Sequence, residues 1–402
     1  MTNKKLKVDN VPNLRFPGFT DEWKTRKLGE VAIVSSGGTP NRSTSSYWNG
    51  NIPWVSTSLI DFNFIEKVDE YITEEGLTNS SAKLFPKGTL LIAMYGQGKT
   101  RGKVAILNIE ATTNQACGAI TTNNDVLNPL FAFQNLTKRY DEIRDLSNQG
   151  GQENLSAGII KGIKINFPEV QEQQKIVSFI DLIDERISTQ NKIIEQLETL
   201  IKSVSQKIFT QKIRFKELSD EWKLVSLGEV GEIITGKTPS TKDLDLWSGN
   251  IQFVTPTDIK ENKYQHSTER TIKKTDKLKI LPPKSIMFTC IASIGKMSLS
   301  LYPSVTNQQI NSIIPHSYFS NEFIFYAVKN IAEIIKSTQS TSTMPIINKT
   351  EFSKFKISIP SLKEQNHIAF FLSKIDQKIE TEKLVLQQLE KQKNYLLQQM
   401  FI

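Results

Sequence analysis

The sequence predicts an α+β protein built twice. Two homologous mixed α/β domains are each followed by a long helix, and the two helices pair as an antiparallel coiled coil about an internal pseudo-twofold axis. Three observations lead there: an ungapped internal repeat, short apolar runs punctuated by Gly, Pro and Asn, and two long stretches with heptad spacing.

The repeat sets the organisation. "LRFPGFTDEWKTRKLGEVAIVSSGGTPNRSTSSYWNGNIPWV", from Leu14, aligns with "IRFKELSDEWKLVSLGEVGEIITGKTPSTKDLDLWSGNIQFV", from Ile213, at an offset of 199. Between Asp21 and Ile60, 17 of 40 positions are identical, against two or three expected, roughly, from composition. The match continues through Gly102-Lys103/Gly295-Lys296, "TNQ" at 113–115 and 306–308, Asn128/Asn321, Pro168/Pro360 and Glu172-Gln173/Glu364-Gln365. The expected divisions are an N-terminal segment 1–20, a first domain 21–167, a first long helix 168–212, a second domain 213–359 and a second long helix 360–402.

Within the first domain, "KLGEVAIV", "NIPWVST", "TLLIAMY", "GKVAILNI" and "CGAITT" read as strands separated by turn residues. "NPLFAFQNLTKRYDEIRDL" reads as one helix with Asn128 as N-cap and Pro129 at its first position. "NEFIFYAVKNIAEIIKS" is its counterpart. "KGIKINFP" and "KFKISIP" alternate at period two and end at proline, so each is a short strand entering a long helix. Ile176, Ile180, Ile183, Ile187, Gln190, Ile194, Leu197, Ile201, Val204 and Ile208 alternate spacings of four and three, a heptad seam with one polar interruption. Ile368, Leu372, Ile375, Ile379, Glu382, Leu386, Leu389, Lys393, Leu396 and Met400 repeat it. Ser361 and Glu364 form a candidate capping box. At 1.5 Å per residue each helix spans roughly 60 Å.

Composition narrows the function classes. Apolar content is that of a globular chain, and no apolar run reaches membrane-spanning length. The N-terminal "MTNKKLKVDNVPNLRF" lacks the apolar core of a signal peptide, so a cytoplasmic location is expected. Two cysteines, Cys117 and Cys290, argue against a disulfide framework or a cysteine metal site. A net charge of +8 and a pI near 9.1 suit an anionic partner such as nucleic acid. His266, His316 and His367 do not recur between the halves and read as surface or packing residues.

"AMYGQGKT", residues 93–100, fits a loose phosphate-binding loop. Its Gly98-Lys99-Thr100 falls in a three-residue insertion that the second half lacks. "RGKVAILNI" follows it and reads as a strand, whereas such a loop must open a helix. A P-loop NTPase is therefore the weaker reading. A stand-alone two-domain DNA-binding or scaffolding protein is the stronger rival to the one below.

The order "GxTP…W.GNI", "Gly-Lys…TNQ", then "FPEVQEQQKI" or "IPSLKEQNHI" into a long helix, all present twice, resembles the specificity subunit of a Type I restriction–modification enzyme, from about Leu14 to Ile402. The resemblance implies a non-catalytic chain whose two globular units are target recognition domains, reading different half-sites of duplex DNA across a gap set by the helices. It implies two modification subunits as partners, methylating adenine with S-adenosylmethionine, and up to two restriction subunits using ATP and Mg. No cofactor is expected in this chain, nor any membrane partner. No Asn-Pro-Pro-Tyr or Asp-Pro-Pro-Tyr motif of an adenine methyltransferase occurs.

If the two domains read different half-sites, shared residues cannot supply the difference. Thr39, Lys103, Asn114 and Gln115 in the first half, and Thr238, Lys296, Asn307 and Gln308 in the second, are expected as scaffold or phosphate contacts. Shared Trp23/Trp222 and Trp48/Trp247 read as packing. Unshared polar loop residues are the candidates for base edges: Arg42, Ser43, Gln97, Lys99, Arg101, Gln149 and Gln152, then Lys242, Asp243, Ser293, Gln339, Thr341 and Thr343.

Overall fold

The computed structural model describes residues 10–96, 100–146, 154–215, 218, 221–260, 262–338 and 345–402. It divides into two compact units, Met1–Thr189 with Leu386–Ile402, and Gln190–Val385.

In the first unit a five-stranded sheet has the order Ala32–Ser36, Cys117–Thr122, Leu90–Ala93, Val104–Leu107, Phe64–Ile65. All neighbours are antiparallel except the last pair. A three-stranded sheet places Trp48–Val55 between Glu70–Ile72 and Thr112–Thr113. The second unit repeats both sheets with the same strand order, around Ile310–Pro315 and Trp247–Val254. A separate ribbon pairs Lys24–Lys27 with Lys164–Phe167, and Lys223–Ser226 with Lys356–Ile359. It brings the entry of each domain beside its exit.

Three local expectations are corrected. "KLGEV" is not strand: Leu28–Val31 and Leu227–Val230 are single helical turns. Ser226 and Glu229 make a reciprocal capping box, and the i, i+3 pair Leu227/Val230 is buried. The expected helix after Asn128 breaks into Pro129–Lys138 and Tyr140–Asp145. At the break, the Arg139 guanidinium donates to the Lys164 carbonyl at 2.6 Å and to the Glu142 carboxylate. Asn128 does cap the first piece, accepting from the Leu130 and Phe131 amides. The counterpart, Asn321–Ser337, is unbroken. The capping box at Ser361 does not form: Glu364 is taken by Arg214, and Ser361 Oγ is buried without a hydrogen-bond partner.

The long helices run over Val170–Phe209 and Leu362–Met400. In the first unit, Ile176, Ile180 and Ile183 share a core with Leu396, Met400 and Phe401. Lys393, the basic interruption of the second seam, pairs with Asp184 at 2.6 Å. In the second unit, Ile201 and Ile208 share a core with Ile368, Leu372 and Ile379. There the amide interruption of one seam meets the acidic interruption of the other, Gln190 Nε2 donating to the Glu382 carboxylate and, at 3.1 Å, to its backbone carbonyl. Within each unit the beginning of one helix lies against the end of the other, so the pairing is antiparallel. Gln190 and Glu382 satisfy each other, and Lys393 finds Asp184 beside the seam, so none of the three is buried alone.

The repeated Glu-Gln pair fastens helix to domain. Arg15 forks onto Glu172 with two 2.7 Å bonds, and Arg214 holds Glu364 at 3.4 and 2.8 Å. Gln173 donates to the carbonyls of Pro168 and Val126 and accepts from the Asn128 amide. Gln365 bonds the Pro360 carbonyl and the Ser320 amide in the same way. All four acids and amides are buried. Each helix start is thereby tied to the connection that opens the preceding helix.

Candidate nucleic-acid interface

The shared motifs form one clasp in each domain. Gly37 packs so closely that an added Cβ would lie 2.0 Å from the Thr113 carbonyl; at Gly236 it would lie 2.2 Å from that of Asn307. The GxTP turn is therefore pressed against the TNQ segment, and only glycine permits the approach. Thr39 and Thr238 each donate a hydroxyl to the side-chain oxygen of Gln115 and Gln308. Asn114 Oδ1 accepts from the Ala116 amide and the Thr57 hydroxyl. Asn307 is buried and bonds Gln309 through both side-chain atoms. These amides are engaged within the fold. Gln115 and Gln308 remain exposed at its rim.

The W.GNI motif builds the opposite edge. Trp48 and Trp247 start the central strands and donate Nε1 to the carbonyls of Asn41 and Ser240, at 3.1 and 3.2 Å. Asn49 and Ser248 follow with φ of 62° and 63°, and both strands bulge before Ile52 and Ile251. A Cβ on Gly50 or Gly249 would sit 2.5 or 2.2 Å from the carbonyl of Ile72 or Ile272. Each indole stands edge-on to a second aromatic, Trp54 at 5.3 Å or Phe253 at 5.2 Å. Trp23 is buried in the first core, as packing predicts.

The unshared candidates separate by exposure. Arg42 lies over the Trp48 ring at 3.9 Å and pairs with Glu70. That hydrogen-bonded pairing raises the guanidinium pKa and lowers that of the carboxyl. Ser43 is exposed and bonds Asn41. Lys242 and Asp243 are exposed on the corresponding loop, where Asp243 precedes the turn Leu244–Leu246. Ser293 is half-buried, and its carbonyl accepts from the Thr289 hydroxyl. Arg101 departs from expectation. It is 6% exposed, because the chain at 101–103 turns back against the sheet and the Gly102 amide bonds the Ala93 carbonyl. It is not at an accessible tip. Gln97, Lys99, Gln149, Gln152, Gln339, Thr341 and Thr343 lie outside the described residues. Val104–Leu107, after the phosphate-loop lookalike, is a strand, which removes the helix N-terminus that such a loop needs.

The shared lysines differ. Lys103 pairs with Asp61 and lies 5.8 Å from the Phe62 ring. Lys296 is exposed, with its backbone tied to Thr289. Arg270 is absent from the sequence-based candidates, yet its guanidinium lies 3.5 Å from the Trp247 ring centre. At the repeat offset of 199 Glu70 aligns with Glu269; only the strand register, shifted by one residue, puts Arg270 in the place of Glu70. No described helix is long and apolar enough to cross a membrane.

A family described as "Type I restriction modification DNA specificity domain" matches residues 20–199 and 219–391. The MjaIX specificity subunit of Methanocaldococcus jannaschii is 32% identical over 46% of this chain and 45% of its own length. The HindI specificity subunit of Haemophilus influenzae is 22% identical over 85% and 90%. Among solved structures, the S subunit of a Type I restriction–modification system from M. genitalium superposes with a TM-score of 0.63, at 16% identity, over 98% of this chain and 99% of that one.

Proposed function

Because the chain belongs to the Type I restriction–modification DNA specificity family, we propose that it reads a bipartite site on duplex DNA, one half-site per domain, and presents that site to partner subunits. A specificity subunit is a non-catalytic member of its complex, and this chain is one.

One observation carries the reading. The two domains share strand order, clasp and helix anchors, while the exposed side chains beside the clasp differ, with Arg42 and Glu70 in one and Thr241 and Arg270 in the other. A common scaffold with different exposed chemistry suits two readers of different sequences. The basic balance of the chain favours the phosphate backbone as the partner.

Two modification subunits would dock, one for each copy of the duplicated helix entry, and supply S-adenosylmethionine and the methyl transfer to adenine. Restriction subunits with ATP and Mg would complete a cleaving complex. The long helices would set the gap between half-sites. Mapping adenine methylation in cells expressing this chain with its modification subunit tests the proposal. The expected result is one two-part motif with a fixed gap. Methylation that is independent of this chain, or confined to one uninterrupted motif, would refute it.

A further inference from the structure

In both domains a guanidinium caps the shared indole, but the two arginines come from different places. Arg42 reaches Trp48 from the loop before the strand; its counterpart by the repeat is Thr241. Arg270 reaches Trp247 from the edge strand Arg270–Ile272. It holds the position that Glu70 holds in the first domain, since Trp54 faces Glu70 and Phe253 faces Arg270 in register.

The exchange reverses the charge of one edge. In the first domain Glu70 neutralises Arg42, and Glu74 and Glu75 open a short helix capped by Thr73. In the second domain Arg270 is exposed, and among the described residues no carboxylate pairs with it. Exposed Lys273 and Lys274 follow where Thr73 and Glu74 stand in the first domain. A guanidinium stacked on an indole keeps its in-plane N–H edge free, and its orientation is already set. A fixed fork beside two exposed ammonium groups matches phosphate oxygens along a duplex better than it matches one base.

We propose that the Arg270–Lys274 edge of the second domain binds the DNA backbone, with Arg270 on Trp247 as its fixed anchor, and that the first domain does not use the equivalent edge. The inference rests on the DNA-reading function and adds that the two domains hold the backbone at different places. Phosphate binding is then not confined to residues the halves share.

The test is the salt dependence of binding to a mixed-sequence duplex, using the full chain in complex with its modification subunit. Removing one cation from a phosphate should reduce the slope of log K against log salt by about 0.9. Arg270→Ala should lower the slope by about that amount, Arg270→Lys should restore most of it, and adding Lys273→Ala and Lys274→Ala should lower it further. If Arg270→Ala fails to fold, the lysine pair carries the test, since both side chains are exposed. A parental slope in the triple variant would overturn the inference. So would an effect confined to one base position at unchanged slope, or weakened modification-subunit binding with DNA binding intact. No salt-dependent duplex binding by the parental complex would instead refute the DNA-reading function itself.

Discussion

Removing the Arg15 side chain tests how each long helix is fastened to its domain. Glu172 is fully buried, and its two oxygens accept from Arg15 Nε and Nη2 at 2.7 Å each. The bond raises the Arg15 pKa. Arg15→Ala leaves a buried carboxylate without its cation, a change that costs about 3–5 kcal/mol in comparable pairs. For a unit of this size that corresponds to a fall in melting temperature of roughly 6–20 °C. Arg214→Ala should cost less. Its Nε bond to Glu364 is 3.4 Å long and its side chain is 26% exposed, against 14% for Arg15. Urea titration followed by circular dichroism measures both, and Arg15→Ala/Glu172→Gln closes the cycle, recovering part of the stability because the buried charge is gone. An Arg15→Ala variant within about 1 kcal/mol of the parent would refute the fastening role. A double variant no more stable than the single one would refute it equally.

Two further outcomes follow from the second unit. Gly249→Ala should destabilise it by about 2 kcal/mol or more, since the new Cβ would meet the Ile272 carbonyl at 2.2 Å; a melting temperature equal to the parent's would show that the bulge relaxes freely. Glu322 should give that unit an acid limb. Burial pushes its carboxyl up, but hydrogen bonds from Lys263, Tyr264 and Ser373 prevail and hold it at about 2. A carboxyl depressed on folding contributes stability above the unfolded-state value near 4.3, and loses it as pH falls from there to about 2. After solvent screening the contribution is of order 1–2 kcal/mol. Glu322→Gln should flatten that part of an acid-unfolding profile, and an unchanged profile would contradict the network.

The duplication, the mixed α+β character and the two heptad seams were legible because they are statements about order and period along the chain. A repeat survives in the letters, and a seam at alternating spacings of four and three cannot be a strand. A local error arose where a helical turn runs straight into a strand: Leu28–Val31 and Leu227–Val230 bury an i, i+3 pair directly before the apolar strands that follow them. At Arg139 the helix is interrupted where its guanidinium donates to the carbonyl of Lys164, 25 residues on, a contact that no local pattern announces.

Long-range packing settles which polar groups are spent within the fold and which face outward. Arg101, Arg42 and Arg270 are the same letter, but one is buried, one is neutralised by Glu70 and one is exposed over an indole. Glu364 reads as a capping-box acid and Glu172 only as its repeat counterpart, yet both are buried partners of arginines 150 and 157 residues away. Electrostatic roles depend on distances of a few ångströms between residues far apart in the chain. Periodicity carries no information about those distances, so order and period along the chain lead to the architecture, while the packing assigns the charges to their work.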